Sequence, residues 1–403
     1  MQVCQRLTGS GGWPLTIIMT PEGVPVFAGT FIPKDDRYAR MGMMNLLPTL
    51  MDRWKSDPET LLASGEKVLE SLRPKKQAAS SYKIDQQVFT PAENLFKKSF
   101  DKKYGGFGNA PKFPRPHSLV FLLRRYRQTG DARLLEMAEV TLQAMRRGGI
   151  YDQVGFGFHR YSTDKEWLVP HFEKMLYDNA QLASLYFDAA RRWNNDKWRR
   201  VGVETLNAVL DTFAHPDDGY ISSLSALDGQ GVEGGYYLWH RSEIEALLPI
   251  AEQRIFSRAW RLQGGDEWQG GLPQVVLDEQ ALATTLRMPL SEAAQWMCKI
   301  RNTLRQQRST RQLPRDEKRI ASWNGLLLSA LARGAMSKHA GNTLPAGKAL
   351  RDYLTSLWDG EQLWRLRGAD GEGLVAATLE DYAYVAQGLL DWSEAVNDAR
   401  AKR

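Results

Sequence analysis

The sequence predicts a mainly α protein: an (α/α) hairpin barrel preceded by a small α/β region. Three observations carry that expectation. Apolar residues recur at helical spacing in pairs of segments joined by short turns. The first segment of each pair is apolar on most sides, and the loops between pairs are long, glycine-rich and crowded with aromatics.

The first pair is Ser118–Gln128 and Ala132–Arg147, joined by Thr129, Gly130 and Asp131. The second is Phe172–Trp193 and Lys197–Phe213, joined by Asn194, Asn195 and Asp196. Trp323–Ser337 with Ala346–Leu357 makes a third, and Asp381–Val396 opens a fourth. Within the second pair Phe172, Met175, Leu176, Leu182, Leu185, Tyr186 and Ala189 follow the helical period, as an inner helix should. Tandem hairpins stack as a solenoid or close as a barrel. The long loops 148–170 and 217–239 favour the barrel, because long structured loops usually build a site.

Residues 1–73 differ from the rest. Leu15–Met19 and Val24–Gly29 are short β-rich runs around the turn Thr20, Pro21, Glu22, Gly23. Helical pattern follows from Met41 to Leu72, with a break at Asp57 and Pro58. So small a set of elements buries little core alone. Residues 74–85 are a polar linker, and 86–403 form the hairpin barrel.

Composition narrows the function classes. The chain has 403 residues, 43% hydrophobic and 25% charged, which suits a globular protein of one large and one small domain. It has no apolar run of about 18 residues and no secretory leader pattern at Met1, so the expected location is cytoplasmic, with no membrane partner. Cys4 and Cys298 match no metal or redox spacing, and the expectation is reduced thiols with no metal and no cofactor. The net charge of +6 is dispersed among acidic neighbours, and the densest basic stretch, Arg301 to Arg319, looks like a solvated helix and loop. Nucleic acid is not an expected partner. The glycine-rich Gly105 to Lys112 lacks the Gly-Lys-Ser/Thr ending of a phosphate loop, and His215 and His240 fall in no ligand spacing.

Chemistry concentrates where the inner helices begin. The clusters are Lys112 to His117, Glu166 to Glu173, Ser322-Trp323-Asn324 and Glu380-Asp381-Tyr382. Inner helices of a barrel start at one end, so His117, His171, Asn324 and Asp381 are expected around one cavity. His171 follows Pro170, a residue suited to a helix's first turn, where the dipole would keep the imidazole neutral and able to act as a base. Glu173 would orient a neighbour, and Lys174 and Asp178 would share the face of His171. In the loop 148–161, Tyr151, Asp152, His159 and Arg160 set charges beside aromatic faces, a combination that suits a sugar ring. Asp228 and Glu233 could pair with Asp152 for acid–base work.

Several of these stretches resemble the thioredoxin-domain-containing proteins of the spermatogenesis-associated protein 20 type. They are Gly11 to Leu15, Tyr104 to Pro114, Gly148 to Gly157, Trp167 to Ala180, Ser322 to Asn324 and Glu380 to Ala383. The resemblance implies a thioredoxin-like domain, with a cis proline at Pro14, joined to a six-hairpin barrel similar to N-acylglucosamine 2-epimerases and helical-barrel glycoside hydrolases. It also implies truncation at both ends: the family's Cys-x-x-Cys lies upstream of Met1, and its further hairpins lie beyond Arg403. The barrel is therefore expected to be incomplete, and the α/β region to be a thioredoxin-like remnant.

The leading functional expectation is a cofactor-free isomerase of sugar epimerase type. His171 would take a proton next to a sugar carbonyl, with Arg160 or Lys174 stabilising the enediolate and Trp167, Tyr151, Trp323 and Tyr382 helping to position the ring. A glycoside hydrolase using Asp152 with Asp228 or Glu233, and a non-catalytic scaffold, are the alternatives.

Overall fold

In the computed structural model, residues 1–37, 40–73, 86–264, 270–337, 342–368 and 372–398 are described. The chain divides into two compact units, 1–85 and 86–403. The linker expected at 74–85 lies outside the described residues.

In the first unit, α1 (Gln2–Thr8) precedes an antiparallel hairpin of β1 (Thr16–Met19) and β2 (Pro25–Gly29), followed by α2 (Met43–Ser56) and α3 (Pro58–Leu72). Gly23 closes the hairpin turn at φ +85°, where a side chain would be strained. Asp57 breaks the helical run and caps α3 by accepting from the Thr60 amide. The Trp13–Pro14 peptide is cis. The buried apolar set is small, Cys4, Ala28, Leu46 and Leu61, while Trp13, Met19, Phe31 and Met44 are exposed.

The second unit is mainly helical, with its principal helices paired in hairpins. A 3-10 turn, Gln86–Phe89, leads into α4 (Thr90–Ser99). The first hairpin is α5 (Pro116–Thr129) with α6 (Ala132–Arg147), turned by left-handed Gly130 and capped by Asp131. Next come two-residue strands, β3 (Tyr161–Ser162) paired with β4 (Pro170–His171), and then β5 (Lys174–Met175). The second hairpin is α7 (Leu176–Trp193) with α8 (Asp196–Thr212). Beyond β6 (Ser223–Leu224), a block holds α9 (Arg241–Leu247), α10 (Ile250–Ala259), the hairpin β7 (Trp260–Gln263) and β8 (Leu272–Val275), α11 (Glu279–Leu286) and α12 (Leu290–Arg308). β9 (Arg315–Asp316) joins β5 and β6 in a three-stranded sheet. The third hairpin is α13 (Ala321–Ala335) with α14 (Thr343–Ser356); β10 (Trp364–Arg367) and β11 (Gly373–Ala376) precede α15 (Leu379–Val396).

Helices α5, α7, α13 and α15 pack side by side in chain order, each inner helix backed by its hairpin partner where one is present. This is the inner wall of an (α/α) barrel. One core cluster lies between α7, α8, α13, α14 and α15, and a second between α5, α6, α7 and α8. Two asparagines pin the wall. Asn179, the fourth residue of α7, donates to the Phe158 and Met175 carbonyls (3.0 and 2.9 Å) and accepts from the Phe158 amide (2.7 Å). Asn324, the fourth residue of α13, does the same with Tyr220 and Ile320 (2.9 and 3.0 Å; amide 2.9 Å).

Two expectations are corrected here. The second inner helix starts at Leu176, not Phe172, because residues 170–175 are drawn into strand pairing with residues 161–162 and 223–224. Arg301 and Arg308 of the supposedly solvated basic stretch are buried, on the same face of α12 as Met297, Ile300 and Leu304.

Asn324→Ala strands the Tyr220 amide and carbonyl in a buried place, and each such loss costs about 1–3 kcal/mol. The expected destabilisation in urea unfolding is about 2–4 kcal/mol; a change below about 0.5 kcal/mol contradicts the clasp.

Candidate active site

Beneath the start of α7 lies a buried ionic knot. The Asp152 carboxylate accepts from both Arg308 Nη atoms (3.0 and 2.9 Å), from Lys174 Nζ (2.7 Å) and from the Val154 and Gly155 amides (3.0 Å each). Burial alone would raise its pKa, but the charges of Arg308 and Lys174 outweigh that and hold it well below the carboxylate range. Burial lowers the Lys174 ammonium to about 8, against the pull of Asp152. His159, edge-on to Phe172 and Tyr237, is pushed down to about 3 by burial and is neutral. It is a core imidazole whose Nδ1 lies 2.9 Å from the Phe172 carbonyl oxygen.

Above the knot, at the surface, is a second group of side chains. Arg160 Nη1 donates to Glu173 Oε2 (3.1 Å), and Tyr177 lies within electrostatic reach of Arg160. His171 Nδ1 lies 3.1 Å from Glu233 Oε1, and its Nε2 lies 3.5 Å from Glu173 Oε2. The Tyr161 ring stacks on the imidazole at 4.9 Å, and Phe113 lies against Tyr161 at 4.8 Å. Tyr177 meets Trp323 edge-to-face at 4.8 Å, which ties the start of α7 to that of α13. Asp178 lies within electrostatic reach of Arg160 and Glu173, with Oδ2 buried and unpartnered. Burial, only partly opposed by Arg160, lifts its pKa to about 8, so it is a neutral acid at pH 7.

The helix-dipole account of His171 is corrected. The residue sits on β4, five residues before α7 begins, so no helix terminus acts on it. Its pKa is raised, first by the Glu173 hydrogen bond and further by Glu233, against the effect of burial. Lys174 points down to Asp152 and does not share a helix face with His171.

The other expected site residues separate into three groups. Tyr151 and Trp167 are wholly buried; the Tyr151 hydroxyl donates to Glu204 (2.7 Å) and the Trp167 indole to the Tyr104 carbonyl (3.0 Å). Asn324 and Asp381 hold backbone: Asp381 accepts from the Ser322 and Thr378 amides (3.1 and 2.9 Å) and from Arg365 (2.8 Å). Asp228 folds its own loop through the Gln230 and Val232 amides (2.9 Å each), and the Tyr382 hydroxyl accepts from the Leu363 amide (3.0 Å). Asp152 therefore has no lone pair to offer a substrate, and its proposed pairing with Asp228 or Glu233 is not formed.

Along the wall runs a groove of about 740 Å³. Its lining comes from all four inner helices: His117, Phe121 and Arg124 from α5; Gln181 and Ser184 from α7; Ser329 and Arg333 from α13; Tyr384 and Gln387 from α15. Of His117, His171, Asn324 and Asp381, only His117 lines it. Tyr177 and Trp323 lie one turn before Gln181 and Leu326, which line the groove; Arg160, His171, Glu173 and Asp178 of this rim group do not themselves line it. Tyr177 and Arg308 were not singled out from sequence. The four-residue step from Tyr177 to Gln181 and the position of Arg308 on an apolar stripe were the available signals. Among the described residues no cluster of His, Cys, Asp and Glu could hold a metal ion, and no helix is long and apolar enough to cross a membrane.

Asp152→Ala leaves Arg308 and Lys174 buried and unpaired, and should cost about 3–5 kcal/mol in urea unfolding; a loss below about 1 kcal/mol contradicts the knot. Asp178 binds its proton more tightly folded than unfolded, so its carboxyl stabilises the fold below about pH 4 and loses that effect as pH rises to about 8. Asp178→Asn should therefore show a melting temperature that gains steadily on the wild type between those limits. A constant difference would place the carboxyl in water.

Comparison with known proteins agrees with the residue-level resemblance. A thioredoxin-like DsbH family, described as "Protein of unknown function, DUF255", matches residues 1–73. Spermatogenesis-associated protein 20 of Mus musculus is 32% identical over 99% of this chain and 56% of its own length, so the chain spans a little over half of that relative. Among solved structures, a family 76 glycoside hydrolase (mannosidase) of Bacteroides thetaiotaomicron aligns with 9% identity and a TM-score of 0.40, over 70% of this chain and 54% of that one. A cellobiose 2-epimerase of Bacillus thermoamylovorans aligns with 12% identity and a TM-score of 0.31, over 75% and 96%. Over 99% of its own length the chain is thus similar to spermatogenesis-associated protein 20, with a first unit of the thioredoxin-like DsbH kind.

Proposed function

We propose that the protein is an isomerase of sugar epimerase type, binding a polyhydroxylated carbonyl compound in the groove and moving a proton at the rim. The observation that supports this is the clustering of His171, Glu173, Arg160 and Asp178 around the first turn of α7, the helix whose following turns line the groove. The lining beyond them offers amides, hydroxyls and guanidinium groups between the faces of Phe121 and Tyr384, which suits hydroxyls and CH faces in alternation.

In this reading the neutral imidazole of His171 takes the proton from the carbon next to an open-chain carbonyl. Glu173 and Glu233 stabilise the imidazolium that results. The electron pair moves to the carbonyl oxygen, and Arg160 stabilises the enediolate charge. Asp178, protonated at pH 7, supplies the proton to that oxygen. Return of the proton from His171 to carbon, with the Asp178 carboxylate taking back the proton of the enediol hydroxyl as the carbonyl re-forms, restores both groups and completes the exchange. No metal or cofactor enters these steps.

Incubation with reducing sugars in deuterated water tests the reading. Deuterium should enter next to the carbonyl, and His171→Gln should slow it by about 10²–10⁴-fold while leaving sugar binding intact. Because the neighbouring carboxylates raise the His171 pKa and Asp178 must keep its proton, the rate should climb with pH towards neutrality and fall again above about pH 8. Absence of exchange across a broad sugar panel, with sugar still bound, would reduce the site to a binding groove.

A further inference from the structure

At the end of the groove away from the rim lies a smaller pocket of about 250 Å³. It shares Val120, Arg124 and Asp188 with the main groove, so the two adjoin. Its polar lining is four arginines, Arg124, Arg127, Arg191 and Arg192, against a single carboxylate, Asp188. That carboxylate is already engaged by Arg191 and lies within 3.6 Å of Arg333. Arg192 lies over the Tyr126 ring at 4.8 Å. Among the described residues neither Arg124 nor Arg127 has an ion-pair or hydrogen-bond partner.

Arginines at helix ends have an ordinary explanation. Arg127, Arg191 and Arg192 occupy the last turns of α5 and α7, where a cation complements the dipole. That effect fades within one turn and does not reach Arg124, which stands further into α5. Nor does it account for concavity. Four arginines lining one small hollow around a single carboxylate leave it with a net positive charge. Their planar forks match the oxygens of phosphate and carboxylate.

We propose that this pocket is an anion subsite of the groove, taking a phosphate or carboxylate carried by the ligand. The inference rests on the groove's being a ligand site, and it names the class: an acidic rather than a neutral sugar-like compound. The geometry also sets a length. Ten residues of α5 separate His117 from Arg127, and fourteen of α7 separate Tyr177 from Arg191, or about 15–20 Å of helix. A ligand engaging both rim and arginines is extended, with its acidic group far from the reacting carbon.

The test uses the full chain and two probes, inorganic pyrophosphate and neutral maltotriose, each titrated calorimetrically at constant ionic strength with sodium chloride. The variant is Arg127→Gln with Arg192→Gln, both side chains being exposed and neither lining the main groove; an unchanged melting temperature in the absence of ligand verifies the fold. Pyrophosphate should bind the wild type and lose about tenfold or more in the variant, with maltotriose unaffected. Pyrophosphate binding that equals its value in the variant, or that chloride reproduces, overturns the subsite. Binding of a single-stranded RNA 24-mer without any binding of pyrophosphate also overturns it, in favour of a nucleic-acid surface. Maltotriose separates the two levels: pyrophosphate bound without maltotriose sustains the anion pocket and counts against the sugar groove, and the converse does the reverse.

Discussion

The fold at the site depends on one buried ion cluster, Asp152 with Arg308 and Lys174. It gathers three distant pieces of chain: the glycine-rich loop after α6, the strand before α7 and the end of α12. Removing charges from water is costly, and such a cluster survives only when the geometry satisfies it nearly completely. Here the carboxylate accepts five donors, including two loop amides. Gly155 is part of the fit, since a Cβ there would fall on the Arg308 guanidinium. With Lys174 pulled inward, the residues just before it stay extended, and Glu173 and His171 turn outward to meet Arg160 and Glu233.

Burial divides similar side chains into different roles. Asp152 and Asp178 are both nearly enclosed, yet one is held ionised by two cations and the other is left protonated beside a single distant guanidinium. His159 and His171 differ in the same way: aromatic walls keep the first neutral, and carboxylates favour charge on the second. The neutral acid and the titrating imidazole are both on the outer group, and the inner group is spent on structure. Composition alone assigns neither role, because each follows from neighbours that are remote in sequence.

Helix spacing made the hairpins legible from sequence: α5 and α7 stop at Gly130 and Asn194, inside the turns expected there. The clusters at helix starts were also visible, and Trp323 and Asp381 do stand in first turns. Side-chain direction was not. Asn324 and Asp381 turn to backbone groups some 60–100 residues away, a partner choice that periodicity does not encode. The onset of α7 was misplaced because Phe172 and Met175 fit a helical stripe, while the strand pairing that overrides it comes from residues 161–162 and 223–224. The block 241–308 went unread, and with it Arg308, because an arginine on an apolar face looks like a solvated one until its carboxylate is known.

If the inner cluster sets the outer one, the imidazole of His171 reports it. An NMR titration of the wild type and of Asp152→Asn reads that dependence directly. The wild-type ring should titrate above the free-imidazole value of about 6.5, and the variant, still folded, should titrate closer to it as Glu173 and Glu233 draw away. A wild-type value at or below that of free imidazole, or one that the substitution leaves unmoved, would contradict the arrangement.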